Sequence, residues 1–191
     1  MGWQGLDAGA SPNPGGASGP NRLSGVAATS ASNAWAVGTY VNGGAYRTLT
    51  LHWDGKAWTK VPSPNAGSGN NTLLGVAATS ATNAWAVGYY AGPTATRTIL
   101  EHWDGKSWTM ISGPNPGASG STLSGVAATS ASDAWAVGFY VNGTGVSLGL
   151  LEHWTGTSWK QVPSPSPGSS TNARYGVAAT SASNAWAVGN S

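Results

Sequence analysis

A stretch of fourteen residues occurs four times in this chain with almost no change, and it constrains the fold more than any other feature. It reads GVAATSASNAWAVG from residue 25, and it recurs from residues 75, 125 and 176 with at most one substitution. A period of about 50 residues is typical of solenoids, propellers and repeat arrays, in which each unit buries its apolar faces against its neighbours. The sequence therefore predicts a repeat protein.

Each period contains four strand-like segments, which we call A to D. In the first repeat they are residues 23–30, 34–40, 47–53 and 57–62. Short turn sequences separate them, namely ASN after A, VNGG after B and DG after C. Asp-Gly is a strong signal for a tight hairpin. Three successive hairpins predict a four-stranded antiparallel meander.

Side-chain size increases from segment A to segment D. Segment A consists mainly of Gly, Val, Ala and Thr, whereas B, C and D carry Trp35, Trp53 and Trp58. This gradient fits wedge-shaped blades around an axis, with Lys60 on the exposed outer strand. We therefore predict an all-β fold, a β-propeller built from four-stranded antiparallel blades.

In each complete repeat, segment B reaches a glycine after an apolar stretch (AWAVG), and segment C has a tryptophan at its end (LHW or EHW). The stretches AWAVGTYVNGG, TLTLHWDG and LLGVAATSA, with the Trp58 that opens segment D, resemble the kelch repeat over residues 22–190. Gly-Thr, Gly-Tyr or Gly-Phe replaces the usual double glycine, which indicates a separate Trp-rich branch. The turn WDGKAW also resembles the Asp-box turn of other propellers. Either resemblance implies a β-propeller.

The repeat divides the chain into predicted domains of unequal completeness. Residues 22–71, 72–121 and 122–173 are three blade repeats, and residues 174–191 supply only the inner two strands of a fourth. Residues 1–21 form an N-terminal segment in which Trp3 and SPNPG resemble segment D, so this segment is a candidate donor of an outer strand. A Met-Gly start and an end within a repeat suggest a truncated, recently amplified or engineered chain.

The repeat leaves open how many blades, and how many chains, complete the ring. Propellers usually have about four to eight blades, and three complete blades do not close a ring easily. Two chains supply eight A–B pairs, so we favour an eight-bladed ring formed by a homodimer. A four-bladed monomer, or a fragment that pairs its open edges promiscuously, is the alternative.

Composition disfavours several classes of function. Charged residues make up 7% of the chain, the net charge is +2, and the lysines are spread over the repeats instead of clustering, which disfavours nucleic-acid binding. The chain has no cysteine, so disulfides, thiolate catalysis and cysteine-ligated zinc are excluded. No apolar run is long enough for membrane insertion, and residues 1–16 lack the charged start and apolar stretch of a signal peptide. We expect the natural parent to be secreted or at the cell surface.

The ionisable residues do not form a catalytic pattern. His52, His102 and His153 occupy one repeat position, and one histidine per blade cannot converge on a single metal ion. Glu101 and Glu152 adjoin two of them, but adjacent residues of a strand point to opposite faces. Because every such group recurs, we predict no enzyme, no catalytic residue, no metal and no cofactor.

Aromatic residues are the candidates for ligand binding. Tryptophans of the outer strand and tyrosines beside the B–C loops offer flat apolar faces that stack on a sugar or a peptide; these residues are Trp58, Trp108, Trp159, Tyr40, Tyr90 and Tyr140. Packing within the core is the simpler interpretation of the tryptophans. The B–C and D–A loops are expected on one face, where a rigid scaffold usually holds a site.

Three function hypotheses follow from these observations. The first is a self-assembling interaction scaffold whose partner is itself or another protein, since near-identical repeats have accumulated little blade-specific function. The alternative is a multivalent, lectin-like module in which equivalent weak sites bind a glycan through avidity. An extracellular enzyme domain is the third and least favoured hypothesis.

Overall fold

The computed structural model describes residues 12–15, 19–166 and 171–191, and these residues contain β-strands and turns. No helix capable of spanning a membrane occurs within these ranges. Trp3, the proposed start of a donated outer strand, lies outside the described residues. The strands are β1 (Asn21–Ser30), β2 (Asn33–Asn42), β3 (Ala45–Trp53), β4 (Trp58–Val61), β5 (Asn71–Ser80), β6 (Asn83–Ala91), β7 (Thr96–Trp103), β8 (Trp108–Met110), β9 (Gly120–Ser130), β10 (Asp133–Val141), β11 (Ser147–Trp154), β12 (Trp159–Val162), β13 (Ala173–Ser181) and β14 (Asn184–Asn190).

The strands pair as antiparallel meanders, in the order predicted from the turns. Sheet 1 consists of β1–β2–β3–β4, sheet 2 of β5 to β8 and sheet 3 of β9 to β12, while sheet 4 is the two-stranded pair β13–β14. A single parallel pair, Thr96 with Gly120, joins β7 of sheet 2 to β9 of sheet 3. The prediction of an all-β, antiparallel chain is confirmed.

The Asp-Gly turn between the third and fourth strands is four residues long, spanning residues 54–57, and is therefore longer than the shortest hairpins. The Asp54 carboxylate accepts hydrogen bonds from the backbone amides of Lys56 and Ala57, at 2.8 and 2.9 Å. These two bonds hold the pKa of Asp54 below its ordinary value. Gly55 has φ +95°, a conformation that side chains disfavour, which explains the glycine.

The sheets stack in chain order, and their first strands approach each other very closely. A Cβ atom on Gly75 would lie 3.2 Å from both the Gly125 Cα and the Ser124 carbonyl oxygen. A Cβ on Gly25 would meet the backbone of the next sheet at a similar distance. The small residues of segment A thus permit the narrow inner edge that the size gradient predicted.

Every sheet has a front face, which we define as the face toward the next sheet, and a rear face toward the previous one. Trp35 and Val37 on the front of sheet 1 form a buried cluster with Leu73, Ile99 and Trp108 of sheet 2. An equivalent cluster lies between sheets 2 and 3, and its larger members are Trp85, Val87, Leu123, Leu150 and Trp159. The apolar core of the chain therefore lies between the sheets.

The series of sheets is open in the described structure. Strand β1 packs on β5, β5 on β9 and β9 on β13, so sheets 1 and 4 form its two ends. Apolar side chains are exposed at both ends, among them Val26 of β1 and Trp186 and Val188 of β14. The described strands therefore do not form a closed ring.

Candidate functional site

A trio of tryptophans marks each complete interface between sheets. Trp35, from the second strand of sheet 1, contacts Trp103 and Trp108 of sheet 2 at ring-centroid distances of 4.8 and 5.0 Å. The Trp108 ring meets Trp35 edge-on at an interplanar angle of 84°, a favourable arrangement for aromatic pairs. The same geometry recurs one sheet later; there the trio is Trp85, Trp154 and Trp159.

The third interface has an incomplete trio. Trp135 on the front of sheet 3 stacks on His153 of its own sheet, at 4.1 Å and 15°. It faces sheet 4, which has no third or fourth strand among the described residues. A cavity of about 240 Å³ remains there, and we call it the Trp135 notch. Its large apolar lining residues are Trp135, Val137, Leu151, Val162 and Trp186.

The three histidines occupy equivalent positions and have structural partners. His52 and His102 hydrogen-bond through Nε2 to the side-chain oxygens of Asn33 and Asn83, at 2.8 and 2.7 Å. Burial lowers the pKa of both histidines. His153 bonds to a carboxylate instead, Asp133, at 2.6 Å. Within the described part of the chain, no three His, Asp or Glu residues lie close enough together to bind a metal ion.

Glu101 and Glu152 are fully buried on the rear faces of sheets 2 and 3. Neither carboxyl group has a hydrogen-bond partner among the described residues. Burial raises the pKa of each to about 8. Leu51 holds the equivalent position in sheet 1 and is also buried. The sequence placed these acids on the face opposite the histidines, but it did not indicate that this face is covered.

The B–C and D–A loops lie on the same side of the stack. The Arg47 guanidinium, which follows the B–C loop, donates to the carbonyl groups of Gly67 and Ser68 in the D–A loop, at 3.0 and 3.1 Å. The backbone amide of Tyr46 donates to the Asn70 side chain at 2.9 Å. These bonds tie the two loops of the first repeat into one rim.

The candidate tryptophans of the outer strand differ in accessibility. Trp108 and Trp159 are only 4% and 5% exposed, because each ring packs into the core between two sheets. Burial removes these two rings from the surface available to a ligand. Trp58 is half-buried, and its ring centroid lies 5.7 Å from that of Trp53.

The candidate tyrosines are half-buried on the rear faces. Tyr90 and Tyr140 pack against the two core clusters, whereas the Tyr40 ring lies 3.9 Å below the Lys60 ammonium group. Tyr40 and Lys60 also line a cavity of about 290 Å³ with Thr48, Ser63 and Asn65. Ligand binding by Trp58 and the three tyrosines stays a prediction.

A groove separate from the Trp135 notch and the Tyr40 cavity contains aromatic residues that the sequence did not single out. It has a volume of about 240 Å³ and lies between the first two sheets. Tyr46 and Tyr89 line it, together with Arg22, Thr39 and Thr72. Neither tyrosine belongs to the Tyr40 position, and the groove depends on how the sheets stack.

Comparison with solved structures shows which known fold the chain resembles. No protein-family model matches the sequence, and the comparison with curated proteins found no match. A fucose lectin from Kordia zhangzhouensis, in complex with methyl-fucoside, aligns over 74% of this chain and 99% of its own, with a TM-score of 0.50 and 16% identity. The likeness is one of fold. It supports an all-β, propeller-like architecture, whereas the kelch assignment and the number of blades stay predictions.

YCF48 bound to a D1 peptide is a further similar structure. The alignment covers 73% of this chain and 39% of the YCF48 chain, with a TM-score of 0.48 and 17% identity. The chain thus spans about two fifths of the YCF48 chain that it matches.

Proposed function

We propose that the protein is a non-catalytic binding scaffold that assembles with a second copy of itself. The observation that carries this proposal is the open end of the stack at sheet 4. Trp186 and Val188 on its front face are 56% and 68% exposed, whereas Trp35 and Trp85 at the equivalent position are fully buried. The end of the stack therefore presents a face that elsewhere in this chain is covered by another sheet.

The proposed partner of this exposed face is the rear face of sheet 1 in a second copy. Val26 on its inner strand is 61% exposed, whereas Leu49 and Leu51 on its third strand are already buried and would have to be uncovered first. Along the chain, each front face packs on the rear face of the next sheet, so a second copy continues an interface that the chain already forms twice. Trp186 then meets Trp53 and Trp58 of the partner, as Trp35 meets Trp103 and Trp108. Trp58 is half-buried where its equivalents are buried, in agreement with an incomplete interface.

The edges of sheet 4 add a second reason for association. Strand β14 pairs with β13 and with no further strand among the described residues. An unpaired edge next to exposed apolar side chains is a template for pairing with another chain. Contact with a second copy removes both the unpaired edge of β14 and the exposed apolar side chains from water.

The recurrent ionisable groups support a non-catalytic role. Each histidine bonds to an amide or carboxylate beside the A–B turn, and Glu101 and Glu152 lie between sheets, away from any groove described above. These groups therefore lie in the packing of the sheets and not in a groove.

Light scattering on a sizing column tests the proposal directly. The wild-type chain, of 19.1 kDa, is expected to elute at twice that mass at micromolar concentration. Trp186→Lys places a charge on the exposed front face and is expected to give a monomer with unchanged circular dichroism. Lys106→Ala, in an exposed turn, is the matched control. A wild-type chain that stays monomeric at 100 times higher concentration would exclude self-assembly.

A lectin-like function is the second candidate, because of the cavity beside Tyr40. This cavity combines an aromatic ring with the hydroxyl, amide and ammonium groups that hydrogen-bond to sugars. The fucose-binding neighbour suggests which sugar to try first. Titration with methyl-fucoside, followed by a glycan array, is expected to show binding that Tyr40→Ala removes and Tyr46→Ala retains. Absence of binding to neutral and acidic sugars would rule this candidate out.

A further inference from the structure

The Trp135 notch lacks the tryptophans that fill both equivalent positions in this chain. In the first two interfaces, the tryptophan of the second strand contacts one tryptophan from the third strand and one from the fourth strand of the next sheet. Among the described residues, the aromatic ring stacked on Trp135 is that of His153 in its own sheet. The notch is therefore the third member of a series whose first two members show what fills it.

In both complete interfaces, the tryptophan of the fourth strand packs on the sheet that precedes its own sheet in the chain. Trp108 of sheet 2 packs on Trp35 of sheet 1, and Trp159 of sheet 3 packs on Trp85 of sheet 2. By the same rule, the fourth strand of sheet 4 places a tryptophan on Trp135. In each repeat, that strand immediately precedes the D–A loop that leads into the next first strand.

The segment before β1 has the sequence that this position requires. Trp58, Trp108 and Trp159 each precede the glycine of the following repeat by 17 positions, and SPN or GPN lies in the loop after the first two. Trp3 precedes Gly25 by 22 positions, and SPN follows it at residues 11–13. The connection is five residues longer than in the other repeats, so its length is sufficient to reach the same position.

We propose that Trp3 of a second copy inserts into the Trp135 notch, and that its N-terminal segment completes sheet 4 as an outer strand. This inference rests on the proposed self-assembly and names the residue that the partner contributes. The second copy is the source because sheet 1 and sheet 4 are opposite ends of the open stack. When sheet 1 of a partner covers the front of sheet 4, the segment that enters the partner's β1 lies beside the outer edge of sheet 4.

The chemistry of the segment suits an apolar notch. Residues 1–21 carry one charged side chain, Asp7, apart from the terminal amine. The notch is lined by Trp135, Val137, Leu151 and Val162 of sheet 3, and by residues of β13 and β14. The equivalent of Val162 in sheet 1, Val61, packs in the cluster that contains Trp108. Val162 is therefore the residue that the incoming indole contacts first, together with Trp135.

Photo-crosslinking with isotope-labelled chains tests the contact. A benzophenone amino acid at position 3 keeps an aromatic group there, and mixing unlabelled with ¹⁵N-labelled chains separates contacts between chains from contacts within one. The expected product joins position 3 of one chain to a peptide with Trp135 or Val162 of the other. The same photoreactive residue at position 56, in an exposed turn, is the control and is expected to leave the notch unlabelled.

The outcomes separate this inference from the function on which it rests. Crosslinks to the notch within one chain, or crosslinks elsewhere in a chain that still assembles, overturn the insertion of the partner's Trp3 and leave self-assembly intact. A chain that does not assemble overturns both proposals. As a second measurement, Trp3→Ala is expected to weaken assembly roughly 30-fold or more, the effect typical of a buried aromatic anchor. Gln4→Ala is the matched control, and equal assembly of both variants contradicts the insertion.

Discussion

Replacement of Glu101 by leucine is expected to stabilise the protein, and to do so more at high pH. Both carboxyl oxygens of Glu101 are buried without a hydrogen-bond partner in the described structure. The side chain lies beside Ala86, in the interface between sheets 1 and 2. Leu51 holds the equivalent repeat position in sheet 1 and is buried there, so an apolar side chain is accepted at this position of the repeat.

The pH dependence follows from the raised pKa. The pKa of Glu101 rises from an ordinary value of 4.5 to about 8 in the folded chain, because burial disfavours the charged carboxylate. The folded state therefore keeps its proton to higher pH than the unfolded state does. The contribution of Glu101 to the free energy of unfolding is greatest below pH 4.5, falls as the pH rises from 4.5 to 8, and is lowest above pH 8. The difference between the two pKa values corresponds to about 5 kcal/mol at most.

Urea unfolding, followed by tryptophan fluorescence at pH 5 and pH 9, measures this effect. The gain in free energy of unfolding for Glu101→Leu over wild type is expected to be several kcal/mol larger at pH 9, up to the limit of about 5 kcal/mol. The other titrating groups are common to both chains, so their contributions cancel in the difference.

Glu101→Gln is the matched control, since it keeps the size of the side chain and removes its charge. It is expected to lose the pH dependence like the leucine variant, with a smaller gain because its amide remains buried without a partner. Equal gains for Glu101→Leu at pH 5 and pH 9 would refute the reasoning, because they would mean that the carboxyl group is solvated in the folded chain.

Five further substitutions test the packing between and within sheets, each by thermal or urea denaturation. Trp108→Ala is expected to cost about 3–5 kcal/mol by emptying the core between two sheets, and Trp58→Ala, at a half-buried position, is expected to cost less. Gly75→Ala forces a Cβ against the backbone of the next sheet and is expected to cost about 1–3 kcal/mol, whereas Gly143→Ala, with open space around it, is expected to be neutral within about 0.5 kcal/mol. Asn83→Ala removes hydrogen bonds to a threonine and a histidine and is expected to cost about 1–3 kcal/mol; equal stability of Asn83→Ala and wild type would mean that these bonds contribute nothing.

Local sequence was enough to predict the strands and their order. Turn residues and apolar patterns act over a few residues, so the four segments, their antiparallel pairing and the glycine in the C–D turn could all be read from one repeat. The small residues of segment A likewise predicted the close approach that Gly75 makes with the next sheet. The same local patterns indicated that His102 and Glu101 point to opposite faces.

Stacking of the sheets decided what no single repeat contains. Whether Trp108 or Tyr46 is accessible depends on the sheet in front of or behind it, and near-identical sequences therefore have different exposures. Trp35 and Trp186 share one repeat position, yet Trp35 is buried and Trp186 is 56% exposed, because only Trp35 has a sheet packed on its front face. The sequence by itself determined the repeating unit, since hairpins form from neighbouring residues. Only the tertiary structure decided that Glu101 and Glu152 are buried and that the Trp135 notch is open. The reason is that burial depends on residues some 50 positions or more away in the chain.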